Sequence, residues 1–236
     1  SGLPRTLEGA RYYTQWAGAP RNVVSKSNGA NDYNDDINTR SLYTNWLAGG
    51  SSYIPNKEGL KVPIELTLGV HSDAGVKADG TTVGTLSICT TQQGNPTLGT
   101  GLSRNASQVF ANQLVAKRDI EGTFKKVWNT RGVKDANYSE TRLPEVPSAI
   151  IETLSHQNFG DMRLGQDPNF KFTLARSIYK SILRHTASLH KRPYIVQPLA
   201  PNNFRIEYVS KDKVRLKWNG VNDPLEPTAK PTSYNI

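Results

Sequence analysis

One histidine stands where an apolar run turns polar, in the stretch Gly69-Val70-His71-Ser72-Asp73-Ala74-Gly75. A neutral imidazole can ligate zinc or move a proton near neutral pH. One glutamate, Glu152, stands near the end of a second apolar run, Pro147-Ser148-Ala149-Ile150-Ile151-Glu152-Thr153-Leu154. A carboxylate there can take a proton from water and hand it to a leaving amine. The pair supplies half of a metal-assisted hydrolytic site, with His71 as metal ligand and Glu152 as catalytic acid–base.

The surrounding pattern says how the two would be positioned. Alternation of apolar and polar residues predicts a strand over 62–70 running into His71, a strand over 83–90, and a strand over 147–154. Helices are expected over 7–16, and from a cap at Asp35 or Asp36 through Trp46. Another should start at Ser103, with Ala106, Val109, Phe110 and Leu114 facing inward. A fourth should start at Asp167-Pro168, with Ala175, Ile178, Tyr179 and Ile182 as its stripe. Strands alternating with helices predict an α/β fold, a mostly parallel sheet flanked by helices. Open sheets of this kind collect ligand-binding groups at strand carboxyl ends, where His71 and Glu152 both fall. Residues 119–146 read as one long loop carrying Trp128, Arg131, Tyr138, Glu140 and Arg142. Composition shifts near residue 192, which divides the chain into an α/β domain (1–192) and the truncated start of a β-sandwich (193–236) with room for about three strands.

A formal charge of +9 favours an anionic partner, but the basic residues are scattered and no nucleic-acid motif is visible, so the expected partner is not nucleic acid. The single cysteine, Cys89, rules out an internal disulfide and a cysteine-rich zinc site; its apolar surroundings predict a buried, inert thiol. No apolar run approaches the ~20 residues that span a bilayer, and the amino end has no basic-then-apolar leader. The opening Ser-Gly-Leu-Pro-Arg-Thr reads as the interior of a longer protein. Ser103 and Ser148 have no His/Asp partners in a recognised triad order, and Asp32, Asp35 and Asp36 lack the spacing of a calcium loop.

The segments LGVHSDAG, VPSAIIETLSHQNFGDM and FKFTLARSIYKSIL resemble the carboxyl-terminal half of zinc-dependent N-acetylmuramoyl-L-alanine amidases. That resemblance implies a zinc ligand at His71, the catalytic carboxylate at Glu152 after Val146-Pro147, an Asn and an Asp at Asn158 and Asp161, and an Arg40-to-Asn45 helix before the histidine strand. EGARYYTQWAGAP, NDYNDDINTR, LAGGSS, SHQNFGDMRLGQDPNF and DPLEPTAKP resemble, more closely, multidomain proteins of Bacteroidetes often labelled xanthan lyase or golvesin-domain proteins. That likeness implies an amidase-like domain interrupted by an insertion and followed by a fibronectin type III domain. It also implies a secreted, periplasmic or cell-surface protein acting on peptidoglycan or another anionic glycan. The amidase Gly-His-Gly strand end and helix-opening Glu are not found, although Glu8 opens a helix-like stretch. The resemblance therefore places the remaining zinc ligands upstream of Ser1, and the chain alone is expected to bind zinc poorly.

His156, four residues beyond Glu152, is expected to line the cleft with Asn158, and Arg131 and Arg142 are expected to clamp substrate carboxylates. His185 and His190, in a basic stretch, read as solvated. Two other functions fit parts of the pattern: a polysaccharide lyase using Tyr138 with Arg131 and Arg142, and a non-catalytic cell-envelope scaffold.

Overall fold

Four strands carry both chemical residues: β1 (Thr67–Asp73), β2 (Thr85–Cys89), β3 (Thr130–Asp135) and β4 (Ser148–Ser155), in the spatial order β1-β4-β2-β3. The computed structural model describes residues 9–114 and 116–236. β1 runs parallel to β4 and β2 parallel to β3, while the central β4–β2 contact is antiparallel. The sheet is thus mostly parallel, as expected. Ser148 to Thr153 of β4 are all buried, the burial expected of a strand covered on both faces.

The described helices are α1 (Ala10–Trp16), α2 (Arg21–Val24), α3 (Asp32–Ala48), α4 (Asn105–Gln113), α5 (Lys117–Phe124), α6 (Ser139–Arg142), α7 (Phe159–Gly165) and α8 (Pro168–Leu189). Asp167 caps α8 as expected, accepting from Asn169 N, with Pro168 in the first turn. Between sheet and helices, Cys89, Phe110, Ala111, Leu114, Ala149 and Ile151 form one core, against which Ile178 and Ile182 pack. A second core gathers Ile120, Trp128, Leu164, Phe170 and Leu174. Trp128 is fully buried, and its indole N–H donates to Thr85 Oγ1 at 2.9 Å, which removes the cost of burying that donor. Cys89 is buried as expected, and burial followed by the nearby Asp135 carboxylate raises its thiol pKa to about 11.

Several expectations need correction. Residues 119–146 are not a loop: they hold most of α5, then β3 and α6. β3 escaped the sequence pattern because it is an exposed edge strand, Thr-Arg-Gly-Val-Lys-Asp, whose side chains barely alternate in polarity. α3 is capped by Asn31, which accepts from Asn34 N at 2.9 Å. Asp35, in the first turn of α3, is buried with its carboxylate on the preceding turn, where it accepts the Ser25 hydroxyl at 3.0 Å and the Ser27 and Gly29 amides. Val109 faces solvent rather than the core, and so does Ala175; Thr173, Leu174, Ser177 and Ser181 make the inner face of α8. His185 is buried, not solvated, and His190 pairs with Glu65 at 2.6 Å.

After residue 192 the structure shows one antiparallel hairpin, β5 (Asn202–Ser210) with β6 (Lys213–Asn219). Residues 232–236 form no strand, so the region with room for about three strands holds two. The segment around 223–229 lies back on the first body: Arg118 donates to Leu225 O at 2.6 Å, and Arg176 pairs with Asp223 at 3.0 Å.

Candidate active site

His71 and Glu152 sit opposite each other in the parallel β1–β4 register, so their side chains leave the same face of the sheet. His71 Nδ1 lies 4.0 Å from Glu152 Oε1. Just beyond, the register slips between His71 and Asp73, an irregularity that re-aims the side chains at the strand end.

The other side of the imidazole is held by Glu140, which no motif or spacing had marked as part of the site. Glu140 Oε2 lies 2.6 Å from His71 Nε2, although the angle misses hydrogen-bond geometry. Helix α3 holds Glu140 in place. Arg40 donates to Glu140 Oε1 at 2.7 Å and bridges to Asp36 at 3.1 Å. Ser41 Oγ donates to Ser139 O at 3.0 Å, while the Asn45 amide donates to Leu143 O at 2.9 Å and accepts from Glu145 N at 3.0 Å. Arg40 and Asn45, singled out in the sequence by a family likeness, therefore fix α6 and through it the acid that faces His71.

The electrostatics divide the three groups. Contact with Glu140 raises the His71 pKa above 6.5, outweighing the opposing effect of burial. In Glu140, burial pushes the carboxyl upward, but the contact with His71 and the bond from Arg40 win and hold it below 4.5. Glu152 is raised above 4.5, first by burial, with His71 opposing and Asp73 adding. The His71 contribution to stability is fully present below pH 6.5 and lost as pH rises through its raised pKa; the Glu140 contribution is present above pH 4.5 and lost as pH falls through its lowered one. The ion pair is thus complete between about pH 4.5 and 6.5. Glu140→Gln should bring the His71 titration midpoint down toward that of a free imidazole, read from the ring-proton NMR signal against pH. An unmoved midpoint would contradict the pairing.

Arg131 reaches the same rim from β3, with its guanidinium on Asp73 Oδ2 at 2.7 Å and on Gly84 O at 3.4 Å. Burial would raise the Asp73 carboxyl, but Arg131 holds it below 3.8. His156 is placed beside them: its N–H donates to Asp73 O at 3.0 Å, and its Nδ1 lies 3.2 Å from Ser72 Oγ. Arg142 lies on the other flank of His71, in a cleft of about 600 Å³ shared with Arg40, Tyr33, Tyr138 and Glu140. Asn158, expected to touch substrate, is 1% exposed; its amide accepts from Lys77 N at 3.0 Å and donates to Thr81 O at 2.8 Å. It brackets the 77–81 loop and has no face toward the cleft opening. Asp161 is also structural, taking Val83 N at 2.8 Å, Gly84 N at 3.1 Å and Ser155 N at 2.7 Å.

Whether these groups suit a metal can be judged from the donors. Glu152 Oε2 is buried with no hydrogen-bond partner, and His71 and Glu140 offer one nitrogen and one oxygen at one point. A catalytic zinc takes three protein ligands. Among the described residues no group of three His, Cys, Asp or Glu could hold a metal ion. Glu8 lies outside the described residues. The described donors do not complete a zinc site.

No family model and no curated protein sequence matches the chain. Among solved structures, it is similar to the N-acetylmuramoyl-L-alanine amidase from Clostridium difficile 630, at 14% identity and a TM-score of 0.45, over 71% of this chain and 80% of that one. It is also similar to the CwlD amidase from Clostridioides difficile, solved in complex with the GerS lipoprotein, at 16% identity and a TM-score of 0.46, over 70% of each chain. A third likeness is to the catalytic domain of CwlV, an N-acetylmuramoyl-L-alanine amidase from Bacillus (Paenibacillus) polymyxa var. colistinus. There the identity is 18% and the TM-score 0.38, over 52% of this chain, which spans 57% of the CwlV domain.

Proposed function

We propose that this chain carries the proton-transfer part of an amide hydrolase acting on peptidoglycan, at the bond between the muramic lactyl group and L-alanine. The observation that carries the reading is Glu152: a buried carboxyl of raised pKa, with one oxygen unpartnered, beside His71 on one sheet face. Such a group is poised to exchange a proton near the pH at which it works. In the proposed step Glu152 takes a proton from water as the water oxygen attacks the amide carbonyl. It returns that proton to nitrogen as the C–N bond breaks, leaving a lactyl carboxylate and a free L-alanine amine. Arg142, which shares the cleft with His71, is the side chain this reading assigns to a stem-peptide carboxylate, while Arg131 is already engaged by Asp73.

Support comes also from the motifs around His71 and Glu152 and from the charge of +9, which suits an anionic polymer. Zinc belongs to the reading only through His71, because the described donors are too few; no step here runs through it. A substrate of this kind lies outside the cytoplasm, so the proposed location is secreted, periplasmic or at the cell surface. Among the described residues no helix is long and apolar enough to cross a membrane.

The lyase alternative needs Tyr138, Arg131 and Arg142 around one sugar carboxylate. Tyr138 and Arg142 do share the cleft, but Arg131 is held on the β3 side by Asp73. Digests of peptidoglycan and of xanthan separate the readings. New amino groups from peptidoglycan are expected; ultraviolet absorbance from a new double bond with xanthan would overturn the hydrolase reading.

A further inference from the structure

At the end of the sheet away from His71, a second cavity of about 430 Å³ opens where the chain enters β1 and β4. Glu65 precedes β1, Val146 and Pro147 precede β4, α4 supplies Val109 and Gln113, and the end of α8 supplies His185 and Leu189. Three large apolar side chains stay open around this one mouth: Leu102 at 51%, Val109 at 54% and Leu189 at 47% exposure. Apolar side chains gathered around one concave mouth, rather than scattered singly, mark a contact site. Deeper in, His185 is only 6% exposed and its Nε2 has no hydrogen-bond partner, and Gln113 Oε1 is likewise buried and unmet. Native proteins rarely leave such atoms unsatisfied, and both residues line this one cavity.

We propose that this cavity binds a small neutral molecule with an apolar body and a single hydroxyl group. The size is that of an ordinary small-ligand pocket, and the rim is apolar. The charges at its edge are already matched: Glu65 is met by His190 at 2.6 Å and by the Tyr53 hydroxyl at 3.1 Å, and Glu145 is paired with Lys57. No unpaired charge is left there to select an ion. A hydroxyl is the neutral group whose chemistry answers both orphans, since it can donate to Gln113 Oε1 and accept from His185 Nε2–H.

The test uses the whole chain with labelled methyl groups, titrated by NMR with benzyl alcohol and with ethylbenzene, its nearly isosteric hydrocarbon. Benzyl alcohol should shift the Val109, Val146 and Leu189 methyls saturably with a Kd of about 1 mM, while leaving Val70 and Ile150 near His71 unmoved. Ethylbenzene should bind about tenfold more weakly, the difference made by the hydroxyl. Gln113→Leu should reverse that preference. Val109→Trp, at an exposed rim position, should fill the mouth and abolish the shifts without lowering the melting temperature. Failure of both compounds to saturate, or equal affinity for the two, would overturn the proposal.

Discussion

Glu152→Gln is expected to lower amide hydrolysis by about a hundred- to ten-thousand-fold, the usual cost of removing a positioned acid–base. The amide keeps the shape of the carboxyl but cannot take a proton from water. The fold should tolerate it, because burial already disfavours the charged form of Glu152 and a neutral group suits the site at least as well. Melting temperature should therefore stay level or rise while turnover falls. The pH profile gives an independent reading. Glu152 must be deprotonated to act, so wild-type activity should rise with pH through a midpoint above 4.5. That limb should vanish from the residual activity of Glu152→Gln. A variant that loses activity and stability together would point to a structural role for this carboxylate.

The second large effect concerns the frame. Lys180 on α8 and Asp119 on α5 pair at 2.6 Å with side chains 7% and 9% exposed. Neither charge can return to water when its partner is removed, so Lys180→Met or Asp119→Leu alone should cost about 3–5 kcal/mol. Replacing both, as Lys180→Met with Asp119→Leu, should recover most of that loss, because no charge is then left stranded. Denaturant unfolding of the two single variants and the double variant gives the coupling directly. Additive costs would show that the pair is not coupled.

What could be read from the chain follows from where burial writes a pattern. β4 and α8 were legible because covered strands and capped amphipathic helices leave apolar runs and an Asp-Pro start. β2 and β4 were placed closely, and Glu152 with them, whereas β1 begins only at Thr67 and runs past His71 to Asp73. β3 was not placed, because an exposed edge strand has no inner face to mark it. With β3 went the true setting of Arg131, and with α6 went Glu140. No spacing rule reports that an acid one hundred residues from Arg40 returns to meet it and His71; that contact exists only once α3 and α6 pack. The histidines show the converse error. His185 sits in a basic stretch, and charge suggested solvent, but the helix turns it inward onto Phe110, ring centroids 5.0 Å apart. Asn158 kept its place in the motif while its amide went to the 77–81 loop.

The central claim is that the face shared by His71 and Glu152 splits an amide with water. Digesting purified peptidoglycan in isotopically labelled water, and weighing the products by mass spectrometry, tests it at the level of the bond. The account predicts heavy oxygen in the muramic lactyl carboxylate, an unlabelled stem peptide with a free L-alanine amine, and loss of both with Glu152→Gln. Glycan products without label, or label appearing equally with the variant, would contradict it.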